Sequence, residues 1–281
     1  MKFGINTFLF TSPFTNRSTK LFAKFKAWGF DGVEIAIENP ADIDPAFVRA
    51  ELDRHGLVCL SVCACFPPSR DLRGTKAQQQ ATIVYLKELV KIADVLGTNI
   101  VMGPLYSATG RADAVPTAEY RRQWRTVRGH LKTICDYAAA NGKIICLEPL
   151  NRFETDFLNT VDQGLQMTRE VNSPALKLLL DTFHMNIEEK NQAAAIRKAG
   201  KHLGHFHACG SDRGTPGGDH TDWPAIAKAL KQVRYDGAVV IESFTQDVKV
   251  IARAAAIWRQ IEPSREGIAR EGLAFLKKAL K

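Results

Sequence analysis

Apolar and polar positions alternate in blocks along this chain. Eight short apolar runs, rich in β-branched residues, begin near Lys2, Gly32, Leu57, Asn99, Lys143, Leu176, Leu203 and Ala238, and a stretch of helical spacing follows each. That alternation predicts βα units feeding a parallel sheet. Helix starts are legible as well. Ser18 precedes a Leu21, Phe22, Phe25, Trp28 stripe; Asp44 caps before Pro45; Thr75 and Thr117 open long helices; Trp223-Pro224 opens a later one. Glycines mark helix ends at Gly29, Gly56, Gly97 and Gly142.

Eight such units close naturally into a barrel, for which about 250 residues is the usual length. A doubly wound sheet would carry a glycine-rich phosphate loop after its first strand; here Phe8-Leu-Phe-Thr-Ser-Pro13 fills that place. The expected fold is therefore α/β, one (β/α)8 TIM barrel over residues 1–281. On the third strand, Cys59, Ser61, Cys63 and Cys65 are expected to face the barrel interior, with Val58, Leu60 and Val62 toward the helices. Two helical stretches, 247–261 and 265–281, follow the last strand. The second carries Ile268, Leu273, Leu276 and Leu280 on one face, which covers the barrel or another subunit.

Composition narrows the class. The 281 residues are 45% hydrophobic, enough for one large core. No apolar run approaches the ~18 residues of a membrane span. The first residues lack the basic, apolar and small-residue succession of a secretion signal, so a cytoplasmic protein is expected. Six cysteines without a CxxC pair lie in apolar patterns and should be free thiols, Cys65 serving as a pocket wall. The net charge of +8 is spread along amphipathic helices, which describes a solvated basic surface and not a nucleic-acid groove.

The chemistry sits at strand ends. Lys143-Ile-Ile-Cys-Leu-Glu148, Leu176-Lys-Leu-Leu-Leu-Asp181, Leu203-Gly-His-Phe-His207 and Ala238-Val-Val-Ile-Glu242 all close on a residue that can hold a divalent cation. In a parallel barrel the ends of neighbouring strands converge on one rim, where enzymes of this architecture work. Charge beside a core is costly and a cation removes that cost. Three carboxylates and an imidazole suit Mn2+, Mg2+ or Co2+ better than structural Zn2+. Glu154, His184 and Arg213 follow in the adjacent loops and could orient the hydroxyls of a sugar or polyol. Glu34, inside the second strand, is expected to support the site from behind or to pair with a buried base. His205 is expected on the face opposite His207. The loops 66–71 and 104–116 and the stretch 210–222 are expected to enclose a small substrate.

These residues resemble a known group. Leu150-Asn-Arg-Phe-Glu154, Asp181-Thr-Phe-His-Met-Asn-Ile-Glu-Glu189, Gly204-His-Phe-His207 and Ile257-Trp-Arg259 look like the ketose 3-epimerases acting on D-tagatose, D-allulose (psicose) and L-ribulose, which belong to the xylose-isomerase-like barrels. The resemblance runs along nearly the whole chain and is strongest over 148–258. It implies that Glu148, Asp181, His207 and Glu242 hold one metal ion per subunit, Mn2+ or Co2+ first and Mg2+ also suitable. It also implies that Glu154, His184 and Arg213 contact the ketose near O1 to O3, and that Phe244 lines the pocket. The chain departs from the family at Asn6, Phe8 and Phe10, at Pro104-Leu-Tyr106 and at Gly210, positions that touch the distal sugar carbons and a supporting layer.

The implied reaction is inversion at C3 through a cis-enediolate, Glu148 and Glu242 removing and returning a proton on opposite faces. Aldose-ketose isomerisation, or epimerisation of a sugar phosphate, uses the same site and is the nearest rival. A metal- and sugar-binding sensor is the non-enzyme alternative. Barrel endonucleases with three zinc ions need more rim histidines than His184 and His207. A homodimer or homotetramer is expected, with neither nucleic acid nor membrane as a partner.

Overall fold

The computed structural model describes residues 1–281. Its eight strands are β1 (Lys2–Asn6), β2 (Gly32–Ile37), β3 (Val58–Ala64), β4 (Ile100–Gly103), β5 (Ile144–Leu147), β6 (Leu176–Asp181), β7 (Leu203–Ala208) and β8 (Ala238–Ile241). They pair in chain order, all parallel, and β8 returns to β1 to close the barrel. Ten helices surround it: α1 (Phe22–Trp28), α2 (Pro45–His55), α3 (Lys76–Leu96), α4 (Thr117–Ala140), α5 (Val161–Val171), α6 (Thr182–Glu188), α7 (Gln192–Ala199), α8 (Trp223–Gln232), α9 (Lys249–Ala254) and α10 (Arg265–Ala279). The eight apolar runs all became strands because each is too short for a helix and is followed by a stretch of helical spacing.

Local signals explain most helix boundaries. Asp44 Oδ1 accepts from the Ala46 and Phe47 amides, and Thr75 Oγ1 accepts from Gln78 N–H, so both satisfy first-turn donors that would otherwise lack partners. Gly29, Gly56 and Gly97 take left-handed φ of 92°, 61° and 76° at helix ends. Two expectations shift. A 3-10 stretch, Asn16–Leu21, delays α1 to Phe22, and Ser18 lies inside that stretch instead of capping the helix. The predicted helix over 247–261 is only the short α9, after which the chain turns until Ser264 caps α10. The apolar face of α10 packs on α8, β1 and β8 of the barrel itself.

Two register irregularities shape the lumen. Between β2 and β3 the pairing steps from Val33↔Cys59 to Glu34↔Ser61, which leaves Leu60 as an extra residue. Below that point the expected alternation fails: Cys59 turns outward into the core shared with the helices, and Leu60 turns inward against Ala238 and Val240. Above it the alternation holds, with Val62 outward and Ser61 and Cys63 inward. Between β6 and β7 the step is from Leu178↔Leu203 to Leu179↔His205, leaving Gly204 extra. A Cβ at Gly204 would lie 2.6 Å from Lys177 Cβ and 2.7 Å from Cys146 Sγ. Only glycine fits there without displacing those neighbours.

No helix is long and apolar enough to cross a membrane. All six cysteines are free.

Candidate metal centre

Each predicted ligand stands at the carboxyl rim. Glu148 and Glu242 lie one residue beyond β5 and β8, Asp181 ends β6, and His207 is the penultimate residue of β7. Parallel strands in register bring them together: one donor atom from each lies within 4.8 Å of the others, and all four residues are buried. His207 Nδ1 is 3.2 Å from Glu242 Oε2, 3.8 Å from Asp181 Oδ2 and 3.9 Å from Glu148 Oε1.

The imidazole is oriented from behind. Its Nε2 stands 2.9 Å from Glu34 Oε1, an acceptor for the Nε2 proton, which turns Nδ1 toward the carboxylates. Glu34 Oε1 also accepts from Asn6 Nδ2 at 2.6 Å, while Ser61 Oγ donates to Oε2 at 2.5 Å and His205 Nε2 lies 2.7 Å from that same oxygen. Asn6 Nδ2 reaches Glu242 Oε1 at 3.1 Å as well. Glu34 therefore pairs with buried bases and supports the site, as the sequence suggested. His205 is a correction: it points into the lumen like His207, because residues two apart on a strand share a face. It sits one layer beneath the four donors, bound to Glu34.

The donor set fits a hard divalent ion. Glu148 Oε1 and His207 Nδ1 are buried without a hydrogen-bond partner, an arrangement proteins rarely leave unmet. Three carboxylates aimed at one point repel one another. Burial, followed by the charge of Glu242, pushes the Glu148 carboxyl well above the ordinary range. Burial also raises Glu242, but His207 and Arg213 outweigh it and hold that carboxyl below its usual value. For His207 burial lowers the pKa, and the carboxylates of Glu34 and Glu242 overcome it and raise it.

Arg213 closes the cluster from above. It sits at φ 70° in the turn after β7, with Nη1 donating to Asp181 Oδ2 at 2.7 Å and to Glu242 Oε2 at 3.2 Å. Its guanidinium lies 4.4 Å from the Phe183 ring centroid and 4.8 Å from that of Phe244. Nη2 is 2.9 Å from His184 Nε2. On the far side of that ring, Nδ1 accepts from the Asn151 amide at 3.0 Å, and Asn151 Nδ2 donates to Glu154 Oε1 at 2.8 Å. Burial and Arg213 push His184 down to about 3, so it is a neutral imidazole. Asn151 is the link that the sequence reading did not single out. Its signal was its place between Leu150 and Glu154 in a loop leaving a ligand-bearing strand.

Above these groups opens a cavity of about 330 Å3. Glu148, Glu154, His184, Arg213, Glu242 and Phe244 line it, whereas Asp181 and His207 are buried outside its lining. The loops after β3 and β4 contribute Phe66, Pro67, Pro68, Pro104 and Thr109, as expected. The 210–222 stretch contributes only Arg213. Val250, Ile251, Ala254 and Ala255 of α9 and its end form a wall the sequence did not foretell. Cys65 is a wall residue, its thiol pushed up to about 12 by burial and therefore inert.

Residues 22–279 match the model of the xylose isomerase-like TIM barrel family. The chain is 37% identical to a probable ketose 3-epimerase of Synechocystis sp. over 279 residues, covering 99% of this chain and 96% of that one. It is 32% identical to the L-ribulose 3-epimerase of Mesorhizobium japonicum, covering 98% and 93%. Among solved structures, the D-allulose 3-epimerase of Methylomonas sp. in complex with D-allulose superposes with a TM-score of 0.92 at 29% identity, covering 99% of this chain and 97% of that one.

Proposed function

The chain belongs to the xylose isomerase-like TIM barrel family and, within it, to the ketose 3-epimerases, and from that premise we propose that it inverts C3 of free ketoses such as D-fructose and D-allulose, D-tagatose and D-sorbose, or L-ribulose and L-xylulose. The observation that carries the proposal is the meeting of two carboxylates, Glu148 and Glu242, from strands three apart on one point of the cavity floor. Inversion needs two groups, since one base on one face would only restore the starting sugar. Leaving strands on opposite sides of the donor cluster, one carboxylate can take the C3 proton while the other returns one to the opposite face, and the roles exchange in the reverse reaction.

Glu148, Asp181, His207 and Glu242 would hold one divalent ion, Mn2+ or Co2+ in preference to Mg2+. Bound there, it would polarise the C2 carbonyl and make the hydrogen on C3 acidic. Arg213 donates to oxygens near C1 to C3 and stabilises the charge of the enediolate, while the neutral imidazole of His184 holds the guanidinium in place. Glu154, held by Asn151, fixes a hydroxyl by accepting from it, and Phe244 packs on the sugar. Free thiols on all six cysteines fit a reducing, cytoplasmic setting.

The test is C3 inversion together with exchange of the C3 hydrogen from solvent, read by NMR. E148Q and E242Q should each lose about 10²- to 10⁴-fold in kcat, the range for a general acid or base. Near-normal inversion by both variants would refute the assignment, and a product with an aldose carbonyl would move the activity to aldose-ketose isomerisation.

A further inference from the structure

The cavity is lined by two chemically different sets of residues. Near the rim donors it is densely polar. The remaining lining includes Phe8, Cys65, Phe66, Pro67, Ile251 and Ala255, and among its polar residues Glu38 leaves β2, across the ring from β5 to β8, which carry the rim donors. Glu38 stands immediately after β2 and is half-buried. Ser12 Oγ donates to its Oε1 at 2.5 Å, and the Phe14 amide donates to its Oε2 at 3.2 Å. Both contacts come from the segment after β1, and they hold the carboxylate at the cavity wall instead of letting it swing into solvent.

Each carboxylate oxygen has about two acceptor sites, so one on each remains for a ligand. Arg213, in the turn after β7, is the one cationic residue that lines the cavity. Burial raises the Glu38 carboxyl above its usual range, which marks a group short of hydration. A hydroxyl group satisfies such an acceptor. A phosphate would be repelled by it and find no counter-charge.

We propose that Glu38 is a specificity-determining residue that accepts a hydrogen bond from the terminal hydroxyl of an unphosphorylated ketohexose. The proposal rests on the C3 reading, because that reading places C1 to C3 over the rim donors and directs the rest of the sugar toward Glu38.

The experiment compares wild type, E38A and S12A on D-fructose, 6-deoxy-D-fructose and D-fructose 6-phosphate, with Kd by calorimetry and kcat/KM for C3 inversion. On D-fructose, E38A should lose roughly tenfold to hundredfold in kcat/KM, mostly through KM, as expected for a lost hydrogen bond to a charged acceptor. On 6-deoxy-D-fructose the two proteins should differ by less than about twofold, because the partner hydroxyl is already gone. S12A keeps the carboxylate but loosens it, and should show a smaller loss confined to the same sugar. D-fructose 6-phosphate should be the poorest ligand of wild type and should gain on E38A. Equal losses on D-fructose and its 6-deoxy analogue would reduce Glu38 to a tie between the first two loops and overturn the proposal, as would preference of wild type for the phosphate. The Kd pattern judges Glu38 even if C3 is not inverted, so failure of the reaction and failure of the subsite are told apart.

Discussion

Glu34 has no exposed surface, yet it holds His207, His205, Ser61 and Asn6 at once. Removing its carboxylate leaves buried polar groups on three other strands, β1, β3 and β7, without their partner. E34A should therefore cost about 3 to 5 kcal/mol of stability, the range for breaking a buried charged pair, measured by urea unfolding of the metal-free protein. E34Q keeps the volume but cannot orient both imidazoles. It should bind Mn2+ about 10- to 100-fold more weakly by calorimetry while retaining most of the fold; unchanged affinity would show that His207 needs no support from behind. The site was legible where an ionisable residue ends a mostly apolar run: Glu148, Asp181, His207 and Glu242 each follow an apolar residue at the end of a strand pattern. Glu38 was not legible, since Glu38 followed by Asn39 and Pro40 reads as ordinary loop polarity, and its burial depends on a loop from another strand. Asn151 was hidden for the same reason.

At the scale of elements, eight strand positions were readable because period and punctuation agree. The two bulges were not. A missing or extra residue in a ladder leaves no mark in composition, and it moves side chains between faces, which is why Cys59 and Leu60 exchange places and why the lumen below the donors is polar at Ser61 and His205. Gly204 is the one residue that betrays a bulge. G204A should destabilise by about 1 to 3 kcal/mol through the contacts a Cβ would make with Lys177 and Cys146, and should also weaken metal binding by displacing His205 and His207; thermal unfolding with and without Mn2+ separates the two effects. Stability equal to wild type would mean that β7 can reregister freely. The short α9 was read as a longer helix because 247–261 is rich in alanine and isoleucine, residues of high helical or apolar signal, while the chain there is shaped by the cavity it borders.

For the molecule as a whole, eight strands converge so that side chains from β5 to β8 meet at one rim, and the barrel beneath them is filled. Leu60, Ala238 and Val240 close the bottom, and the Glu34 network lies between that plug and the four donors. The plug and the buried network fill the barrel axis below the donors. Cargo therefore enters and leaves by a single doorway, and whatever rests deepest must arrive first and depart last. A seated sugar should act as a cork: stripping of Mn2+ by a chelator is expected to slow several-fold when a saturating ketose is present, followed by stopped-flow, and an unchanged rate would reveal a back exit. The same blind-ended layout obliges the hydrogen that departs from C3 to share its path with the sugar, so a vessel built without a drain makes its traffic sequential.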